Sequence, residues 1–99
     1  MTINVVAIFR AKEGSEETVE QHFRSVIEPT HAEAGCIHYQ LNRDADDPRR
    51  FVWIETWQSR DILEQHLKTD HIQTLFSALP QYIESEEIII LDPLAGGAA

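Results

Sequence analysis

Apolar residues recur along the chain at two periods. From residue 3 to 11 both alternating sets, Ile3-Val5-Ala7-Phe9 and Val6-Ile8, are largely apolar and rich in β-branched types, which reads as a strand. Lys12-Glu13-Gly14 turns the chain. A helix is expected from about Ser15, with Glu16 and Glu17 in its first turn and an apolar stripe of Val19, Phe23, Val26 and Ile27. Pro29 ends or kinks it, and Gly35 supplies a stop after one looser turn. Cys36 to Arg43 and Arg50 to Gln58 read as two strands joined by the polar turn Ala45-Asp46-Asp47-Pro48-Arg49, hence antiparallel neighbours. Ser59 or Asp61 can cap a helix carrying Ile62, Leu63, His66 and Leu67. Thr69 or Asp70 can cap another, carrying Ile72, Leu75, Phe76 and Leu79, that Pro80 closes. Glu86 to Leu91 is the last strand, and residues 95–99 are expected to be a frayed tail behind one domain spanning 1–94.

Strand, helix, two strands, helical pair and strand is the order of the split βαβ unit. The expected fold is therefore α+β and ferredoxin-like, a four-stranded antiparallel sheet with its helices on one face. Along the third strand Phe51, Trp53 and Trp57 point one way and Val52 and Ile54 the other. So few helices cover only one side, and the other would expose more contiguous apolar surface than soluble monomers tolerate. A homodimer packed through its sheets follows as an expectation.

Composition narrows the partners. Eight Lys plus Arg against seventeen Asp plus Glu give a net charge of −9, the wrong sign for nucleic acid or an anionic membrane. The apolar runs Val5–Phe9, Phe51–Ile54 and Ile88–Leu91 fall far short of the roughly 20 residues of a membrane helix. Without a basic, apolar leader, and with Cys36 as the single cysteine, the expected compartment is the cytosol. Cys36 reads as a small buried hydrophobe.

Three groups could carry chemistry. Glu55 lies between Trp53 and Trp57 on one side of a strand, where loss of water favours its neutral form; it is either a ligand-orienting acid or base, or an interface carboxylate paired with Arg10, Arg43, Arg49 or Arg50 from either subunit. His66 and His71 are five residues apart, about 140° on one helix, but a break at Thr69-Asp70 would let both line one pocket. That spacing does not suit a metal, and HExxH is absent. Tyr39, Tyr82 and Asn4 offer further polar contacts. Neither GxGxxG, GxxxxGK[ST] nor GxSxG occurs, which removes the usual warrants for a bound nucleotide or a serine hydrolase.

Phe9-Arg10-Ala11-Lys12-Glu13-Gly14, Pro29-Thr30-His31-Ala32-Glu33-Ala34-Gly35-Cys36, Tyr39, Asp46-Asp47-Pro48, Phe51-Val52, Glu55-Thr56-Trp57 and His66-Leu67-Lys68-Thr69-Asp70-His71 together resemble the antibiotic biosynthesis monooxygenase family, and its small quinol monooxygenases in particular. The resemblance covers nearly the whole chain. It implies a dimeric α+β barrel and oxidation of an electron-rich aromatic by molecular oxygen, with neither flavin nor metal as cofactor. In that picture His66 or His71 is the base, Glu55 or Tyr39 orients the substrate, and Trp57, Phe76 and Val6 wall the ring, with Asn4 nearby. The haem-degrading branch uses Asn, Trp and His where this chain has Ala7, His66 and Phe76, which argues against haem. An isomerase of a small phosphorylated dicarbonyl and a non-catalytic module holding a hydrophobic metabolite are the alternatives.

Overall fold

A computed structural model describes residues 1–98. Its elements are β1 (Ile3–Ala11), α1 (Glu16–Ser25), α2 (Ile27–His31), β2 (Cys36–Asp44), β3 (Asp47–Trp57), α3 (Arg60–Leu67), α4 (Asp70–Ala78), a 3₁₀ turn (Leu79–Tyr82) and β4 (Ile83–Leu91). The strands form one sheet in the order β2-β3-β1-β4, every neighbouring pair antiparallel. This is the ferredoxin-like arrangement expected from the element order. No described helix is long and apolar enough to cross a membrane.

Register decides which side chains meet the helices. In β1, Ile3, Val5, Ala7, Phe9 and Ala11 are buried, and their neighbours on β3 (Trp57, Glu55, Trp53, Phe51) share that face. Phe23, fully buried on α1, sits at the centre of this layer with ring centroids 5.1 Å from Phe9, 5.4 Å from Trp53 and 5.8 Å from Phe51. The intervening residues, Val6 and Ile8 with Val52, Ile54, Ile89 and Leu91, form the uncovered face.

Several boundaries differ from the sequence reading, each for a physical reason. The first helix breaks at Ser25–Val26, before Pro29 is reached, because a proline cannot bond the carbonyl four residues back and clashes with it. Pro29 itself lies within α2, a five-residue helix in which its missing N–H is tolerated. The hairpin turn is shorter than expected: β2 and β3 pair up to Asp44↔Asp47, which places Pro48 at the start of β3, beyond the residues that β1 pairs. β4 begins at Ile83, three residues before the expected start at Glu86. Ser59 caps α3, its Oγ accepting from the Ile62 N–H at 3.2 Å. Of the expected tail, 95–98 form neither helix nor strand and residue 99 lies outside the described residues.

Candidate functional site

Between the helices and the sheet lies a cavity of about 270 Å³, lined mainly by apolar side chains from β1, β3, β4, α3 and α4, among them Val5, Ala7, Trp53, Leu63, Leu75 and Phe76. Tyr39, Glu55, His66 and Gln73 are its polar members, and no Lys or Arg reaches it. A larger groove of about 470 Å³ opens beside it along Phe76, Pro80 and Ile83, but its titratable groups are only Glu84 and Glu86. An apolar lining with convergent polar groups singles out the smaller cavity.

Glu55 is 7 % exposed, and its partner comes from its own strand: Trp57, two residues on and thus on the same face, donates its indole N–H to Glu55 Oε1 at 2.8 Å. None of the four arginines considered from sequence reaches it. Arg10 pairs with Asp47, Arg43 with Glu20, Arg49 with Glu84 and Arg50 with Asp44. Burial pushes the Glu55 carboxyl up to about 7, against the opposing pull of the Trp57 hydrogen bond. The group is therefore a neutral acid through much of the range below neutrality.

His66, 3 % exposed, lies in the last turn of α3 with its ring tilted against Trp57 at a centroid distance of 4.3 Å. Burial holds the imidazole below its ordinary value and outweighs the opposite influence of Glu33. Its Nδ1 faces Glu33, 2.9 Å from Oε2 and 3.1 Å from Oε1. The same Oε2 lies 2.7 Å from His71 Nε2. Nε2 of His66 is thus the ring nitrogen left to the cavity, which the residue lines.

The break between α3 and α4 does bring the two imidazoles together, their centroids 6.3 Å apart, but not into one pocket. His71 is 23 % exposed at its side chain and lines an outer cleft with His22, Ser25 and Asp70. Thr69 makes the break: it stands at the N-cap position of α4, as expected, but its Oγ donates to the His66 carbonyl at 2.7 Å, closing α3, and makes no cap bond to α4. Other expected contacts are also displaced. Val6 and Asn4 fall on the uncovered face, because the odd-numbered residues of β1 take the helix side; Asn4 instead accepts from the Thr56 hydroxyl at 2.8 Å. Trp57 is fully buried behind the cavity, serving Glu55 and His66. Tyr39 and Phe76 do line it. Tyr39 stacks on Trp53 at 4.4 Å, and burial raises its phenol well above the usual range, so the group remains protonated.

Glu33 was not among the residues singled out from sequence. With His66 and His71 it places three potential metal-donor atoms within 4.8 Å of one another. The two shorter separations, 2.7 and 2.9 Å, are those of hydrogen bonds. Ligands on tetrahedral bonds of about 2.05 Å would stand about 3.3 Å apart. As arranged, the cluster has the spacing of hydrogen-bonded groups, tighter than that of ligands on one ion. Cys36 packs at the core's edge with its thiol pushed up by burial, which leaves it a poor nucleophile.

Comparison with known proteins gives a consistent picture. The family described as "Antibiotic biosynthesis monooxygenase" matches residues 2–78. The solved structure of PA3566 from Pseudomonas aeruginosa is 33 % identical, with 95 % of each chain covered and a TM-score of 0.88. That of SO0527 from Shewanella oneidensis is 36 % identical over 90 % of this chain and 87 % of its own, with a TM-score of 0.87. A third, described as an antibiotic biosynthesis monooxygenase, is 28 % identical over 94 % of this chain and 99 % of its own, at 0.88. Among curated proteins, an uncharacterised one from Synechocystis sp. (strain ATCC 27184 / PCC 6803 / Kazusa) is 26 % identical over 82 % of this chain; the match spans 55 % of that relative's length.

Proposed function

The chain belongs to the antibiotic biosynthesis monooxygenase family, and from that premise we propose that it oxidises a small, uncharged, electron-rich aromatic, a quinol or polyphenol, with molecular oxygen and without a cofactor. The observation that carries this reading is the apolar cavity into which a buried, neutral-poised imidazole offers Nε2. About 150 Å³ suffices for benzene, so 270 Å³ admits a substituted ring or a fused pair. A phosphorylated substrate finds no cation there, which speaks against the isomerase.

His66 takes the phenolic proton, and the resulting phenolate is a far better electron donor than the phenol. One electron passes to dioxygen; the aryloxyl radical and superoxide combine at a ring carbon bearing hydrogen, giving a peroxide anion to which the His66 imidazolium returns the proton, forming a hydroperoxide. Loss of water across the O–O and C–H bonds leaves a carbonyl. One oxygen atom enters the product and the other leaves as water. Glu55, protonated below about pH 7, can donate to the departing oxygen. Tyr39 and the apolar wall orient the ring and keep bulk water away.

We infer further that two copies pair through the uncovered sheet face. Val6, Ile8, Val52, Ile54, Ile89 and Leu91 lie on it in adjacent register, and no element among the described residues covers them.

Oxygen uptake by metal-stripped protein, with a panel of reduced quinones, tests the activity. His66→Ala is expected to lower turnover by about 10²- to 10⁴-fold. Ligand binding without oxygen uptake by any substrate would instead make the protein a binding module, and turnover unaltered in His66→Ala would remove the base.

A further inference from the structure

We propose that Glu33 is the positioning residue of the candidate base: its carboxylate, pinned from the other side by His71, holds His66 as the Nδ1–H tautomer and so turns a lone pair on Nε2 into the cavity. The proposal rests on the reading of His66 as the base, but its geometry stands apart from any substrate. A carboxylate only accepts hydrogen bonds. Each ring nitrogen that faces Glu33, Nδ1 of His66 at 2.9 Å and Nε2 of His71 at 2.7 Å, must therefore carry a hydrogen. In a neutral His66 that assignment leaves Nε2 bare. Once the substrate's proton arrives, the imidazolium is formed against a negative charge already in contact, the role a buried carboxylate plays behind a catalytic histidine in hydrolases.

Glu33 is held for this. Its N–H donates to the Thr30 carbonyl at 3.0 Å and its own carbonyl accepts from the Cys36 N–H at 3.3 Å, so the turn between α2 and β2 is tied at both ends. Gly35 lets that turn lie against α3: its φ is +86°, and a Cβ there would come within 2.7 Å of Ile62 Cγ2. The Gly35 carbonyl accepts from the Gln58 N–H at 2.9 Å, fixing the turn to the end of β3 from which α3 departs. His71 reaches Glu33 Oε2 through its Nε2 from the first turn of α4, with the Thr69 hydroxyl 3.3 Å from that nitrogen.

Imidazole nitrogen NMR of ¹⁵N-histidine-labelled protein, recorded without substrate, tests the assignment. Wild type is expected to show His66 protonated at Nδ1 and bare at Nε2. In Glu33→Gln the amide oxygen can still accept at the Oε2 position and the Nδ1–H form is expected to persist, whereas in Glu33→Ala, which removes the acceptor, His66 is expected to shift toward the Nε2–H form. Turnover of Glu33→Ala should fall by about 10²- to 10⁴-fold with KM nearly unchanged. A His66 that keeps its Nδ1 proton in a folded Glu33→Ala protein would overturn the proposal even if His66 proves to be the base. A tautomer that moves as expected in a protein with no oxidase activity would sustain it and remove the oxidase reading alone.

Discussion

On the helix side of the sheet, Phe9, Phe51, Trp53 and Trp57 are at most 3 % exposed, whereas Ile54, Ile89 and Leu91 on the other side keep 36–43 %. The same strands supply both faces, and both are apolar. What separates them is the polar content. The covered face embeds Glu55 and meets His66, groups held among aromatic rings where burial changes their ionisation. The uncovered face carries amides and hydroxyls that answer one another or the backbone, such as Thr56 with Asn4 and Asn42 with the Val52 carbonyl. Apolar area marks where something packs; a costly buried ionisable group marks where chemistry is placed.

Substitutions on the two faces should therefore fail in different ways. The largest effect is expected at Phe23, the ring that joins α1 to three aromatics of the sheet: Phe23→Ala should cost about 3–5 kcal/mol in urea unfolding. A loss below about 1 kcal/mol would mean that the layer is not the core.

Next comes pH. Glu55 has a folded-state value raised to about 7 from 4.5, so its protonated form favours folding. That contribution is complete below the unfolded value and is lost as pH rises from about 4.5 through 7, amounting to about 3 kcal/mol at most. The stability difference between wild type and Glu55→Gln should accordingly drift across this window, the glutamine still accepting from the Trp57 indole. A constant difference between pH 5 and 8 would show that the carboxyl titrates normally. Smallest in its effect on the subunit is Ile54→Asp, expected to leave the helical signal intact while sedimentation changes from two copies to one. Unchanged sedimentation would count against pairing through this face.

Much of the fold was legible because its signals are local. Alternation in β1 and β3, the Ser59 cap and the element order lead directly to the observed sheet. The orientation of β1 was not legible: with Ile3-Val5-Ala7-Phe9 and Val6-Ile8 both apolar, alternation does not say which set meets the helices, and Val6 was assigned to the wrong side. In β3 the tryptophans flanking Glu55 did mark the covered face. Glu33 was missed because it lies 33 residues from His66 and 38 from His71, in a segment with only turn character. A signal did exist in the topology. Pairing Cys36 with Trp57 brings the turn before β2 to the end of the sheet where α3 starts, and Glu33 is the carboxylate of that turn.

The central claim is that an aromatic guest occupies the helix-side cavity against His66. Crystals of the protein grown without oxygen and soaked with a small hydroquinone test it most directly. The account predicts the ring between Trp53 and Leu75, with a hydroxyl within hydrogen-bond distance of His66 Nε2. A guest seated on the uncovered sheet face, or in the cavity with both oxygens turned away from His66, would contradict it.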